Sequence, residues 1–278
     1  MSPYANLPLG GTLDVRPFKA HVDQSKLDHL KQLLSLSPIA PVTFENTYAG
    51  RKFGMERQFL ESAKETWLND FDWRKHEDRI NSFPNFKTTI TDPKGNVLDI
   101  QFLALLSEKP DAVPIAFFHG WPGSICEFLD ILDLLREQYS PGELPYHVIV
   151  PSLPGYAYST GPAVDVDYSV DLAADAMSRL MIGLGFGAGY LVHGGDLGSF
   201  VSRYLALHDQ SCKGMHVNMS TMPPVDEIQH DMSDSEKAVL QKAAEFLDTG
   251  NAFNLEQGSR TATIGFVLGA SPLALLSW

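Results

Sequence analysis

The sequence contains little cysteine and little positive charge. Its 278 residues include two cysteines, and 21 Lys and Arg stand against 34 Asp and Glu, which gives a formal net charge of −13. Two cysteines provide neither a disulfide framework nor a zinc-binding cluster, so we expect a soluble protein of a reducing compartment, the cytoplasm. The negative charge argues against non-specific binding to nucleic acids and anionic membranes. We therefore expect neither of them as a partner.

A secretory leader and a long membrane-spanning run are also not expected. The first thirty residues carry charges and contain no apolar stretch of the kind that signal peptides have. The uncharged stretch 261–278, TATIGFVLGASPLALLSW, contains Thr, Ser, Gly and Pro. This composition favours a buried core or lid helix over a membrane anchor. With 44% apolar and 20% charged residues, the chain is long enough for about two globular domains.

The pattern of apolar and polar residues changes twice along the chain, and these changes predict three segments. Residues 1–95 are predicted to be mostly helical, with apolar stripes separated by loops that contain proline and glycine. Residues 96–222 alternate apolar strands with amphipathic helices, which is typical of a mostly parallel sheet with helices on both faces. In residues 223–278, Ser233 and Glu236 form a capping box that predicts a helix, and no strand pattern follows. We expect this last segment to be the start of a helical lid.

Within the middle segment, the apolar pattern places each element. One predicted helix begins at Cys126 and ends at Arg136, with Glu127 and Asp130 on its outward face. The predicted strands are 97–106, 113–118, 147–150, 190–193 and 215–219, and the other predicted helices are 168–182 and 199–207. In sheets of this kind the chemistry lies at the carboxyl ends of the strands.

The stretch HGGDLGS at 193–199 lies between a predicted strand and a predicted helix. Gly194, Asp196 and Gly198 have the spacing of a nucleophile elbow, with aspartate where many hydrolases have serine. The start of the helix stabilises a carboxylate there, although an ordinary aspartate that caps the helix is the alternative. A carboxylate nucleophile attacks saturated carbon and forms an alkyl ester, which water then hydrolyses. Suitable substrates are therefore epoxides and alkyl halides.

A second motif, HGWPGS at 119–124, directly follows the predicted strand 113–118. In hydrolases with a nucleophile elbow, this loop and the residue after the nucleophile each supply one backbone N–H of the oxyanion hole. We therefore expect the N–H groups of Trp121 and Leu197 to stabilise the oxyanion that forms when water attacks the ester. The base of this fold follows the nucleophile, so we interpret His119 as a structural histidine that pins the loop.

Three motifs together resemble the epoxide hydrolases of the microsomal type, and most of all the soluble fungal enzymes. They are HGWPGS at 119–124, GGDLGS at 194–199 and FDWRKHEDRINSFPNF at 71–86. The resemblance implies an α/β-hydrolase fold with an N-terminal epoxide hydrolase meander domain, here 1–95, and a helical lid. It implies that Asp196 opens a small apolar epoxide, that water completes the vicinal diol, and that the enzyme forms a homodimer. The membrane anchor of the mammalian relatives is not expected.

The sequence departs from this family at two places. Enzymes of this family protonate the epoxide oxygen with two lid tyrosines. The position of the first tyrosine is occupied here by Phe253, which has no O–H to donate. We expect Phe253, Trp121 and Pro122 to contact the substrate. An acid and then a histidine should follow the lid, but the last acidic residue is Glu256 and no histidine follows His230. We therefore expect a core whose C-terminal part is missing and a chain that alone lacks the charge-relay pair.

Two other interpretations stay open at this point. One is a catalytically inactive remnant that binds an apolar ligand or a partner. The other is a different hydrolase with an aspartate nucleophile, such as a dehalogenase, against which the N-terminal segment and HGWPGS argue. We expect no cofactor and no metal ion, because His208, His216 and His230 have no companions at metal-ligand spacing.

Overall fold

The computed structural model describes residues 3–220 and 232–278. Two compact units make up the chain: unit 1 combines Met1–His21 with Arg74–Thr221, and unit 2 combines Val22–Trp73 with Met222–Trp278. The boundaries that the sequence predicts, after residues 95 and 222, remain predictions. The second of these boundaries and His230 lie outside the described residues.

Unit 1 contains a seven-stranded sheet with the strand order β1-β2-β3-β5-β4-β6-β7. The strands are β1 (Arg16–Pro17), β2 (Asn85–Thr91), β3 (Val97–Leu105), β4 (Val113–Phe118), β5 (Tyr146–Pro151), β6 (Tyr190–Gly194) and β7 (Cys212–Val217). β5, β4, β6 and β7 pair in parallel, whereas β1, β2, β3 and β5 pair antiparallel. The expected α/β architecture is thus present, but the sheet is mixed where a mostly parallel one was expected.

The antiparallel half of the sheet follows from a short turn between β2 and β3. A connection this short can only join antiparallel neighbours, because a parallel pair needs a crossover of a dozen or more residues. The Asp92 carboxylate holds the turn by accepting the N–H groups of Lys94 and Asn96, each at 2.9 Å. β2 lies within the segment predicted as helices and loops, yet Thr88 and Ile90 are buried while Thr89 is exposed, which is strand periodicity.

Helices lie between and after these strands along the chain. They are α1 (Gln24–Leu36), α2 (Phe44–Thr47), α3 (Arg57–Asn69), α4 (Trp73–Asn81), α5 (Leu129–Gln138), α6 (Val170–Met181), α7 (Leu197–His208), α8 (Asp234–Glu245), α9 (Ala252–Ser259), α10 (Thr261–Ala270) and α11 (Pro272–Ser277). In unit 1, α7 contacts α6 and the strands β4, β6 and β7. The amphipathic character predicted for the helices of this segment is confirmed in α6, where Leu172, Ala176 and Leu180 are buried.

Unit 2 consists of helices, and its C-terminal helices join its N-terminal ones. α1 contacts α3 and α11, and the hydroxyl groups of Ser37 and Ser271 lie 2.8 Å apart. The capping box at the start of α8 is confirmed, because Ser233 accepts the Glu236 N–H and Glu236 accepts the Ser233 N–H. The uncharged stretch 261–278 forms two helices that separate at Ser271 and Pro272. Across the described residues, we find no helix with the length and apolarity that a membrane crossing requires.

Candidate active site

The turn between β6 and α7 holds Asp196 in an uncommon backbone conformation, with φ at 48° and ψ at −123°. A residue with a side chain rarely adopts a positive φ, and such strain persists only where the surroundings impose it. The surroundings here are backbone: a Cβ on Gly194 would overlap the Gly198 carbonyl, and a Cβ on Gly198 would lie 2.6 Å from the Phe118 carbonyl carbon. The two glycines of the predicted elbow are therefore sterically required.

The loop 119–124 meets this turn directly. The Trp121 backbone N–H donates a hydrogen bond to Asp196 Oδ1 at 2.8 Å. A Cβ on Gly120 would lie 2.7 Å from Asp196 Cγ, so only glycine lets the loop backbone pass this close to the carboxylate. Leu197 is the first residue of α7, and its N–H is among those that a helix leaves without an intrahelical partner. The structure thus brings together Asp196 with the residues predicted for the oxyanion hole.

The three residues predicted to contact the substrate lie in two different units. Trp121 is half-buried and Pro122 is exposed, both in the loop beside Asp196. Phe253 lies in α9 of unit 2, and 42% of its surface is exposed. The predicted role of each residue in substrate binding remains a prediction.

His119 is fully buried and both of its ring nitrogens are engaged. Nε2 accepts the Leu153 N–H at 3.0 Å, and Nδ1 lies 3.1 Å from the Gly120 carbonyl oxygen, to which it can only donate. Burial lowers the pKa of His119, although the Gly120 carbonyl and the charge of Asp196 act in the opposite direction. The edge of its ring also contacts Tyr156, with centroids 5.0 Å apart. A neutral imidazole fixed in this way supports the loop and is not available as a base.

Glu127 belongs to this site, although its position in the predicted helix points it outward. Residues Ile125–Phe128 form a single 3₁₀ turn before α5 begins. In this turn the Glu127 carboxylate folds back over the loop, where a Cβ on Gly123 would lie 2.6 Å from Glu127 Cδ. The signal available in the sequence is the glycine four residues before the glutamate, which leaves room for the carboxylate.

The histidines outside the loop have other neighbours. His216 on β7 lies beside His193 on β6, with their Nδ1 atoms 2.8 Å apart, and His208 lies against the Tyr204 ring. In residues 3–220 and 232–278, no three or more His, Cys, Asp or Glu side chains group in a way that could hold a metal ion.

Comparisons with known proteins agree with this geometry. Residues 15–128 match the family described as epoxide hydrolase N terminus, and residues 113–259 match the alpha/beta hydrolase fold family. The chain is 43% identical over 281 residues to a putative epoxide hydrolase of Dothistroma septosporum, covering 100% of this chain and 67% of that protein. It therefore spans about two thirds of the length of that relative.

Solved structures give the same result. The epoxide hydrolase of Aspergillus niger superposes with a TM-score of 0.93 at 44% identity, covering 100% of this chain and 71% of that one. The juvenile hormone epoxide hydrolase of the silkworm Bombyx mori superposes with a TM-score of 0.75 at 26% identity, covering 96% and 62%. Hydrolysis of an epoxide to a vicinal diol is the reaction of this family. The comparisons therefore favour an epoxide hydrolase over a dehalogenase. By sequence and by structure, the chain belongs to the epoxide hydrolases of the α/β-hydrolase fold.

Proposed function

We propose that this chain opens epoxides through Asp196 and forms an alkyl ester on that residue. The observation that carries the proposal is the hydrogen bond from the Trp121 N–H to Asp196 Oδ1, at a turn where the backbone is strained. Because Oδ1 is held by this N–H, Oδ2 is the oxygen free to attack a ring carbon. The carbon–oxygen bond of the ring then breaks, and its electron pair moves to the epoxide oxygen, which takes up a proton from water.

The same geometry prepares the second half of the reaction. Oδ1 becomes the carbonyl oxygen of the ester and already lies at the Trp121 N–H. When water attacks the ester carbonyl, negative charge develops on Oδ1, and the N–H groups of Trp121 and Leu197 stabilise it. Removing one such donor typically lowers the rate about 10² to 10³-fold, so this hole contributes strongly to ester hydrolysis.

The family reaction calls for a tyrosine that protonates the epoxide oxygen and for a base that activates water. Neither Phe253 nor His119 can take these parts. Phe253 stands where the resemblance implies a tyrosine, and its phenyl ring has no O–H with which to donate a proton. His119 is fixed by Leu153 and Gly120, so it does not activate the hydrolytic water. We therefore propose that the described residues support ring opening better than ester release, so that the ester on Asp196 accumulates. A small apolar epoxide is the substrate class that fits Trp121 and Pro122.

Intact-protein mass spectrometry tests this proposal. The chain is mixed with an excess of styrene oxide, and the expected result is one adduct of the epoxide's mass, located by peptide mapping on Asp196. The Asp196→Asn variant retains the other carboxylates and should show no adduct. An adduct on other carboxylates, or diol formation that Asp196→Asn leaves unchanged, would refute Asp196 as the nucleophile. Absence of any reaction would favour a remnant that only binds apolar ligands.

We also propose a cytoplasmic location and a homodimer. Both Cys126 and Cys212 are free thiols, which supports a reducing compartment. The homodimer is supported by the family resemblance. Light scattering after size-exclusion chromatography measures the assembly directly, and a mass of one chain would contradict the dimer. Fractionation of cells that express the protein from its own gene tests the location.

A further inference from the structure

The loop 119–124 lies between two carboxylates. Asp196 lies against Gly120, where a Cβ would be 2.7 Å from its Cγ, and Glu127 lies against Gly123, where a Cβ would be 2.6 Å from its Cδ. Both glycines leave space that a carboxylate occupies. One of these carboxylates is the proposed nucleophile, whereas the other has no role in the reaction described above.

The backbone around Glu127 explains why its side chain turns toward the loop. Ser124 begins the 3₁₀ turn, accepting the Cys126 N–H on its Oγ at 3.2 Å and the Glu127 N–H on its carbonyl at 3.1 Å. A 3₁₀ turn has three residues per turn, so the direction of a side chain within it differs from that in an α-helix. The Glu127 carboxylate consequently comes to the loop and not to the outer face of α5.

The charge of Glu127 is coupled to the loop and to the nucleophile. Burial is the largest influence and raises the pKa of Glu127 above its ordinary value. The backbone of Gly120 and Ser124 favours the carboxylate and lowers this pKa, while the charge of Asp196 raises it. The ionised carboxylate is thus the form that the loop backbone stabilises.

We propose that Glu127 is a positioning residue that fixes the loop 119–124, so that the Trp121 N–H stays on Asp196 Oδ1. Its carboxylate lies against Gly123, two residues after Trp121 in the same loop. The proposal rests on the proposed function of Asp196 and Trp121. A displacement of about 1 Å at such a donor can cost about 10²-fold in rate, so the loss of this anchor has a measurable kinetic effect.

The test compares Glu127→Ala and Glu127→Gln with Glu137→Gln, which removes the same charge from an exposed residue at the other end of α5. The rate of Asp196 adduct formation should fall about 10²-fold in Glu127→Ala and less in Glu127→Gln, which removes only the charge, with Glu137→Gln unchanged. The final adduct yield should stay the same, because the folded fraction is not altered. A loss of yield with an unchanged rate would show a purely structural role and refute the proposal.

The pH profile separates positioning from folding. In the unmodified chain the adduct rate should fall as the pH drops through the raised pKa of Glu127, because protonation removes the negative charge that the loop backbone stabilises. Glu127→Gln should lose this part of the acid limb. An identical profile in Glu127→Gln would contradict the proposal.

A second measurement does not depend on activity. Amide hydrogen exchange of the 119–124 peptide should be faster in Glu127→Ala than in the unmodified chain and in Glu137→Gln. Gly123→Ala places a methyl group where the carboxylate lies, so it should show the same faster exchange, and the double variant should add little to either change. Unchanged exchange would overturn the role of Glu127. If the unmodified chain forms no Asp196 adduct, the proposed function fails, and the exchange data still decide whether Glu127 anchors the loop.

Discussion

The elbow around Asp196 and the helices of unit 2 differ in how closely backbone approaches backbone. In the elbow, a single added methyl group on Gly194 or Gly198 would run into a neighbouring carbonyl. In α9 and α10, a Cβ on Gly258, Gly265 or Gly269 would meet no atom of the described residues within 4 Å. The chemistry that we propose for Asp196 therefore lies in the region where added side-chain atoms are least tolerated. Glycine is a steric requirement in the elbow but a choice in the helices.

Side chains show the same contrast. Around the elbow, His119 and Ser199 are buried and hydrogen-bonded to backbone. In unit 2, large apolar side chains stay exposed, with 52% of the surface of Phe246 and 82% of that of Phe266 accessible. Exposed apolar residues in such number contribute little to the stability of this unit. We expect substitutions in the two regions to differ accordingly.

The largest expected effect is that of Gly198→Ala. Its Cβ would overlap the Phe118 carbonyl, which belongs to β4 and cannot turn away as a flexible side chain could. We expect a loss of about 3 kcal/mol in the free energy of unfolding, at the upper end for overpacking, and no Asp196 adduct. Urea denaturation and mass spectrometry measure the two outcomes.

Gly265→Ala is the matched control, because the same methyl group is added in the middle of α10. There we expect a gain of about 0.5–1 kcal/mol, since alanine loses less backbone freedom in a helix than glycine does. Adduct formation should be unaffected. If both variants were equally destabilised, the contrast between the two regions would be wrong.

The next largest effect is expected for Phe253→Tyr in unit 2. Phe253→Tyr supplies the phenol that the family resemblance places at this position. We expect adduct formation to accelerate about 10²-fold, the lower end of what a positioned general acid contributes. Stopped-flow or quenched mass spectrometry gives the rate, and Phe246→Tyr adds a phenol elsewhere on an exposed phenylalanine of the same unit. Equal rates in all three chains would show that Phe253 does not face the substrate.

The elbow and the parallel strands could be predicted because their signals are local. The apolar stretch of β4 and the spacing of Gly194, Asp196 and Gly198 each lie within a few residues, and the structure has β4 with the predicted bounds. β2 was missed because its threonines also suit a loop, and its burial depends on pairing with β3. Glu127 was placed outward because an α-helical period was extended through residues that form a 3₁₀ turn. A change from an α-helix to a 3₁₀ turn alters the direction in which a side chain points, and the amino-acid composition gives no sign of it.

A smaller effect is expected for a carboxylate of unit 1 that lies at the opposite end of α7 from the elbow. Asp209, which follows α7, accepts hydrogen bonds from Ser178 Oγ at 2.6 Å, from the Ser211 N–H at 2.8 Å and from Tyr190. Burial acts to raise the pKa of Asp209, but the hydrogen bonds outweigh it, so this pKa lies below the ordinary value of 3.8. Stability from Asp209 is therefore complete above the unfolded pKa and is lost as the pH falls through the folded one.

We expect Asp209→Asn to lower the free energy of unfolding at pH 7 by about 2 kcal/mol, as for hydrogen bonds to a charged group. The difference from the unmodified chain should shrink at acid pH, where Asp209 itself is protonated. Asp165→Asn, in an exposed loop of the same unit, is the charge-matched control and should change little. Urea denaturation at several pH values measures the effect. A penalty that does not depend on pH would contradict the role of the carboxylate charge.

The smallest expected effect is that of Ser233→Ala in unit 2. The Ser233 hydroxyl accepts the Glu236 N–H at 3.3 Å, and the Glu236 carboxylate accepts the Ser233 N–H at 2.7 Å. Since α8, all of which is described, buries none of its residues, this cap is a main local support of the helix. We expect a loss of about 1 kcal/mol, read as faster amide exchange in the first turn of α8, and rescue by Ser233→Asp. Adduct formation at Asp196 should not change, and a slower rate would show that the cap and the elbow are coupled.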